Sequence, residues 1–486
     1  MQLSEYLKEL SYEIVQGAVD VEVTGLVTDN RRITAGSLFV CIAGANFDGH
    51  SAAKEAAEKG AVALIVEKDV DTDQNVTVIK VDSTRRALAY LSAAHFGYPA
   101  REMKVIGVTG TKGKTTTTYL IRSILEHAGY RVGLIGTIEV IIGDEHIPAK
   151  NTTPESITIQ EYFRKMADAG MQAVVMEVSS QGLMMHRTDA IDFDLGIFTN
   201  IEPDHIGPGE HDSFEHYLHC KSLLFSQCKT GIVNADDPHV EEVLKGHTCS
   251  VETYGLSETA SLRAENIELV KKPGYLGVDF DVTGLTSLHV SIPTPGKFSV
   301  YNALCAVAVC RHFDIAGEDV IKALAAAKVK GRIEMIPVSD RFTLMIDYAH
   351  NGMALRSLLE TLREYEPKRL VCVFGCGGNR SKDRRYEMGE VSGEYADLSI
   401  ITSDNPRFED PQAIIDDIKI GIGKTDGEYV EIIDRKEAIA YAMRNALDGD
   451  VIVLAGKGHE DYQEIRGVKH PMDERVLIEE ILNEGI

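Results

Sequence analysis

No stretch of this 486-residue chain is long and apolar enough to read as a membrane helix. The longest apolar runs, such as Ala61 to Val66 and Val451 to Ala455, fall far short of the roughly 18 residues a span requires. Proline is sparse, at 14 residues, and together with 44% hydrophobic and 26% charged residues this excludes collagen-like, mucin-like or broadly disordered character. The eight cysteines never fall in C-x-x-C spacing. Neither a zinc site nor a disulfide framework is therefore indicated, and most are expected as reduced core or near-site thiols. Positive charge is also short: 50 Lys and Arg stand against 75 Asp and Glu, a formal net charge of -25. This disfavours nonspecific attachment to nucleic acid or anionic membrane, so an anionic ligand must meet locally gathered cations. The amino terminus sets Glu5, Lys8, Glu9 and Glu13 among Leu3, Tyr6, Leu7 and Leu10. That pattern suits an amphipathic helix and lacks a secretory apolar segment. A cytoplasmic location and a monomeric state are expected.

At about 150 residues per domain the length suggests roughly three domains. No internal repeat or low-complexity tract marks the divisions, so they come from shifts in pattern. The breaker cluster Gly97-Tyr98-Pro99 precedes the strand candidate Val105 to Val108, and Lys330-Gly331-Arg332 precedes the strand candidate Thr343 to Ile346. Domains are expected over 1–99, 100–330 and 331–486. Short apolar runs alternate with helical patterns and end abruptly in polar residues: Val174 to Val178, Leu195 to Thr199, Leu344 to Asp347, Leu370 to Phe374, Leu398 to Thr402 and Val451 to Ala455. The alternation points to an α/β fold of parallel sheets, whose ligands sit at the strands' carboxyl ends.

Gly110-Thr111-Lys112-Gly113-Lys114-Thr115-Thr116 lies between a strand candidate and a helix with Leu120, Ile121, Ile124, Leu125 and Ala128 on one face. This is the context of a phosphate-binding loop: glycines let backbone N–H groups close around phosphate oxygens, Lys114 reaches the β/γ-phosphates, and the Thr115 hydroxyl can ligate magnesium. ATP or GTP is the expected ligand, although Val108 stands where the usual spacing has glycine. Glu177, at a strand's carboxyl end, could share that magnesium. Read alone, the alternative is a solvated glutamate after a strand. After Thr199-Asn200, the imidazole of His205 could serve a second metal, but a lone histidine is more often structural. Lys221 reads from sequence alone as a surface lysine.

Taken in order, Gly110 to Thr116, Glu177 to Ser180, Thr199-Asn200 with Asp204-His205, Tyr217 with Lys221, Asn302, Gly331-Arg332 and Asp347 to His350 resemble the Mur ligase family of ATP-dependent amide-forming enzymes. The resemblance covers nearly the whole chain. It implies a central P-loop ATPase-like parallel sheet, a carboxy-terminal Rossmann-like α/β domain, and a smaller amino-terminal α/β domain that binds UDP. It implies a carboxylate activated as an acyl phosphate and then attacked by an amine, with Lys114, magnesium and Arg332 offsetting negative charge. Asn302, Arg332 and Asp347 would hold the nucleotide. Thr115, Glu177, His205 and Lys221 would serve Mg2+, Lys221 as a carbamylated N6-carboxylysine.

Within the family, the carboxy-terminal motifs are similar to those of the branch that adds meso-diaminopimelate to UDP-N-acetylmuramoyl-L-alanyl-D-glutamate in peptidoglycan synthesis. The resemblance assigns Arg380, Asp404, Asn405, Arg407, Gly456 and Glu460 to the amino acid. The second carboxylate of diaminopimelate needs a bidentate cation, which Arg407 could supply. Taken alone, Asp404 and Arg407 read as an internal ion pair after a proline turn. Asn151, Thr152, Thr153, Ser179, Gln181 and Arg187 would meet the dipeptide end of the acceptor, and Asn30 the uridine side. The chain departs from the family at Asn30, commonly Ser, at Ala45-Asn46, frequently His-Gln, and at Gln181, often His. Rival readings are a lysine-adding ligase, folylpolyglutamate synthase, and a noncatalytic nucleotide-dependent module.

Overall fold

A computed structural model describes residues 1–44, 47–72, 75–204, 206–207 and 210–485. The chain forms two compact units, Met1–Ser261 with Ala308–Ile315, and Leu262–Val307 with Ala316–Ile486.

The first unit opens with a small sheet of β1 (Glu13–Gln16), β2 (Gly25–Val27), β3 (Ser37–Val40), β4 (Ala63–Val66) and β5 (Thr77–Lys80), in the order β1-β5-β4-β3-β2. Only β1 runs antiparallel to its neighbour. Alternate side chains feed opposite faces: Leu38, Val40 and Ile65 pack with Leu88 and Leu91 of the helix Thr84–His95, whereas Phe39, Leu64 and Val66 pack with Ala53 and Ala56. This period of two follows from the pleat. The expected amino-terminal amphipathic helix is a single turn, Leu3–Tyr6, and Glu13 begins a strand. Leu3, Tyr6 and Leu7 are nonetheless buried, because burial there needs only one apolar face.

The rest of this unit is built on β6 (Lys104–Thr109), β7 (Val132–Ile135), β8 (Glu139–Ile142), β9 (Glu145–Pro148), β10 (Ala173–Glu177), β11 (Phe193–Phe198), β12 (Cys228–Asn234) and β13 (Ser250–Gly255). Their order is β13-β12-β11-β6-β10-β7-β8-β9, with the first six parallel. The central strands are buried on both faces, as their unbroken Val and Ile content requires. Their carboxyl ends converge around Gly110, Thr137, Glu177 and Thr199.

The second unit contains antiparallel β14 (Leu262–Lys272), β15 (Tyr275–Gly284) and β16 (Leu288–Ile292), then a sheet of β17 (Glu334–Ile336), β18 (Thr343–Asp347), β19 (Arg369–Phe374), β20 (Leu398–Ile401), β21 (Tyr429–Glu431) and β22 (Asp450–Ala455). Its order is β17-β18-β22-β19-β20-β21, parallel except at β17. Helices Gly352–Arg363, Lys382–Tyr395 and Pro411–Ile422 supply core residues on one face, and Arg435–Arg444 and Glu474–Asn483 on the other. The last strand inserts between the first two parallel strands, which makes a topological switch point flanked by β18, β22 and β19. A hairpin, β23 (Tyr462–Ile465) with β24 (Val468–Pro471), follows it.

Candidate active site

After β6 the chain turns through Gly110 to Gly113 into the helix Lys114–His127. A Cβ on Gly110 would lie 1.9 Å from Thr199 Oγ1, so only glycine lets the loop approach β11 this closely. Asn200 clamps the loop from the side. Its Oδ1 accepts the Lys112 N–H at 2.9 Å, its Nδ2 donates to the Lys112 carbonyl at 3.1 Å, and its own carbonyl accepts the Thr111 N–H at 2.9 Å. Lys114 Nζ donates to the carbonyls of Gly110 and Thr111 at 2.8 and 3.0 Å. Thr116 sits half-buried on the first helical turn.

Glu177 is buried at the end of β10, where its carboxylate accepts Thr115 Oγ1–H at 3.0 Å, the Thr137 N–H at 2.8 Å and Thr137 Oγ1–H at 3.0 Å. These partners and its burial set aside the alternative of a solvated glutamate: the carboxylate ties the loop's helix, through Thr115, to the end of β7, through Thr137. A hydroxyl and a carboxylate oxygen side by side at the head of this glycine loop form the hard donor set that magnesium prefers. Lys221 departs from its sequence reading, being only 1% exposed. The helix Phe214–Ser222 turns it inward, its Nζ donates to the Gly110 carbonyl at 2.9 Å, and it stands 4.5 Å over the Tyr217 ring. Burial, aided by the Lys114 charge, holds its pKa well below that of an ordinary lysine. His205, Ala45 and Asn46 lie outside the described residues.

A cavity of about 380 Å³ opens beside Lys114, lined by Asn151, Thr152, Thr153, Ser179, Gln181 and Arg187 together with Thr137, Ser180 and His211. Thr153 Oγ1 ties its walls together, donating to the Glu177 carbonyl at 3.0 Å and accepting the Ser179 N–H at 2.9 Å. Arg187 Nη1 donates to the Thr153 carbonyl at 2.9 Å, and the guanidinium also pairs with Glu155. Six of the seven residues expected to bind the acceptor thus line one cavity. Asn30 is not among the cavity's lining residues; its Nδ2 donates to the Glu55 carboxylate at 3.2 Å.

In the second unit, Asn302 is buried on the helix Lys297–Cys310. Asp347 ends β18 and accepts the N–H groups of Ile333 and Ala349, each at 2.8 Å. Burial raises its pKa, and Arg332 is the main charge opposing that rise. The Arg332 guanidinium lies 4.8 Å over the Tyr348 ring, and Tyr348 packs 4.6 Å from His459. Gly331, with φ of +66°, has the Gly458 and His459 backbone where a Cβ would stand, at 2.1 Å.

The loops after β19, β20 and β22 meet at the switch point. Asn405 Nδ2 donates to Glu460 Oε2 at 2.9 Å, and the buried Lys457 Nζ donates to Asn405 Oδ1 at 3.0 Å and Glu460 Oε2 at 2.6 Å. A Cβ on Gly456, where φ is +107°, would reach Asp404 Oδ2 at 3.0 Å. Arg407 Nε donates to Glu464 Oε2 at 3.1 Å and its Nη1 to the Gly378 carbonyl at 2.7 Å. The ion pair of Arg407 is therefore with Glu464, supplied by β23, and not with Asp404. Arg380 is exposed, its stem passing the same glycine, Gly377, that Arg407 Nη1 approaches. Sequence reasoning did not assign Thr137, Lys457 or Glu464. Thr137 follows Gly136 at the end of β7, where the strand-end rule could have found it. Lys457 lies between Gly456 and Gly458, next to a residue the resemblance assigns to the amino acid.

Three family models match in order: the Mur ligase family catalytic domain over 22–96, the Mur ligase middle domain over 108–310, and the Mur ligase glutamate ligase domain over 331–458. A UDP-N-acetylmuramoyl-L-alanyl-D-glutamate--2,6-diaminopimelate ligase from Caldanaerobacter subterraneus subsp. tengcongensis is 43% identical over 100% of both chains. One of the same name from Bacillus licheniformis is 42% identical over 97% of each. Among solved structures, a ligase of that name superimposes with a TM-score of 0.74 at 28% identity, over 100% of this chain and 99% of the other.

Proposed function

The chain belongs to the Mur ligase family, and from that premise we propose that it joins meso-2,6-diaminopimelate to UDP-N-acetylmuramoyl-L-alanyl-D-glutamate, converting ATP to ADP and phosphate. The observation that carries the reading is the cavity in which Lys114 of the phosphate loop faces Thr153, Ser179 and Arg187. It sets hydroxyls and a guanidinium, suited to a carboxylate-bearing peptide, beside the lysine that meets the phosphates. In this reading residues 1–99 would bind UDP, 100–330 ATP and 331–486 the amino acid.

In the reaction, a carboxylate oxygen of the acceptor attacks the γ-phosphorus as the bond to ADP breaks, leaving an acyl phosphate. The amine of diaminopimelate then attacks the acyl carbon, phosphate departs, and the ammonium proton passes to solvent. Lys114 and Arg332 offset charge on the transferring group, while Arg187 and Ser179 orient the acceptor. Thr115 and Glu177 would hold magnesium, joined by His205 and by Lys221 as its carbamate, and the ion would neutralise phosphate charge. A buried amine held neutral is the form of lysine that combines with carbon dioxide, and the Lys221 environment favours it. Asn302 and Asp347 would hold the nucleotide. For diaminopimelate, Arg407 with Arg380 would take the distal carboxylate, and Asp404, Asn405, Gly456 and Glu460 the distal ammonium. The protein would work as a cytoplasmic monomer.

The test is phosphate release with ATP, magnesium and the acceptor, adding meso-diaminopimelate or L-lysine in parallel and weighing the product. Release dependent on diaminopimelate is expected. Release with lysine alone would reassign the amino acid, and silence with both would reject the ligase.

A further inference from the structure

Three soft-metal donors gather beside the ligase centre without any part in the chemistry above. His216 and Cys220 are four residues apart on the helix Phe214–Ser222, so they share a face. His211 approaches from the preceding loop, its ring 5.2 Å from that of His216 and nearly perpendicular to it. One donor atom from each of the three lies within 4.8 Å of the others. His211 and Cys220 are buried, whereas His216 is partly exposed and offers an approach from solvent.

We propose that His211, His216 and Cys220 form a binding site for a soft divalent ion of the zinc type. Two imidazoles and a thiolate are the donor set such ions select, whereas magnesium prefers oxygen. His211 Nε2 is held 2.8 Å from Ser180 Oγ, a contact that fixes the ring, as outer partners of metal-binding histidines do. Zinc bonds of about 2.0–2.3 Å need donors closer together than this spread, so binding draws the three side chains together. Binding breaks the Cys220 S–H bond, forms a sulfur–metal bond and releases the proton to buffer. The site is distinct from the magnesium set, although Cys220 immediately precedes Lys221. Screening for paired cysteines does not detect it, because it uses one cysteine with two histidines.

The experiment is titration of the full chain with Co2+ as the probe, read by absorption, with zinc competition and thermal melting in parallel. A thiolate-to-cobalt charge-transfer band displaced by zinc is expected, as is a zinc-dependent rise in Tm. Cys220→Ser should abolish the band, and His216→Gln should weaken zinc binding by roughly 100-fold or more. His216→Gln, at a partly exposed position, keeps the test decisive should Cys220→Ser fail to fold. Absence of the band in the parent, its survival in Cys220→Ser, or an unchanged zinc affinity in His216→Gln would each overturn the site.

Discussion

Arg407 donates to Glu464 across 3.1 Å, so the residue expected to recognise a substrate carboxylate already meets a carboxylate of its own chain. The contact orients the guanidinium fork without saturating it, because Nε and Nη1 engage Glu464 and Gly378 while further N–H donors remain. Arg407→Ala should therefore lower kcat/KM for meso-diaminopimelate by about 10- to 100-fold, the value of one hydrogen bond to a charged group. L-Lysine has no group to lose there and should be affected little. Steady-state kinetics with both amino acids checks this, and an equal loss with each would show that Arg407 is structural.

Lys221 is buried with its Nζ on the Gly110 carbonyl. With 13C-labelled bicarbonate the parent should give a carbamate carbon resonance that is absent from Lys221→Arg. The same variant should release phosphate at least about 100-fold more slowly, since a fixed guanidinium replaces an oxygen donor. A parent spectrum lacking the resonance would refute the modification.

The close approach of Gly331 to Gly458 and His459 forbids a side chain. Gly331→Ala must shift the linker or the loop after β22, at a cost of about 1–3 kcal/mol. A Tm lower by several degrees is expected, with a raised KM for ATP because Arg332 moves with its neighbour. An unaltered melting curve would contradict the packing.

His459 is pushed down to about 4, first by burial and then by the charges of Arg332, Lys330 and Arg475. Unfolded, it titrates near 6.5. Between these values the unfolded chain binds the proton and the folded chain does not, so this contribution to stability is present above about pH 6.5 and is lost as pH falls towards 4. The full shift corresponds to roughly 3 kcal/mol, an upper value for a side chain that is not wholly enclosed. Urea melts at pH 7 and 5 should differ more for the parent than for His459→Gln. Identical differences would remove His459 as the cause.

The α/β order and the phosphate loop were legible because both rest on short-range pattern: apolar runs of strand length, each followed by a glycine or polar turn. The burial of Lys221 was not, since a lysine on a polar helix face is turned inward only by the tertiary neighbours Gly110 and Tyr217. Nor was the partner of Arg407 legible, because Glu464 comes from a hairpin 57 residues further along the chain. The amino-terminal helix was overextended because the apolar spacing from Leu3 to Leu10 fits a longer helix, whereas the chain turns after one turn to enter β1.

Lys114 already donates to two carbonyls of its own loop. In the proposed reaction an arriving triphosphate would exchange hydrogen bonds at this ammonium more than add them, because the loop is already shaped. The gain would lie in replacing neutral acceptors with anionic ones, which would make nucleotide affinity a matter of ionic strength more than of loop ordering.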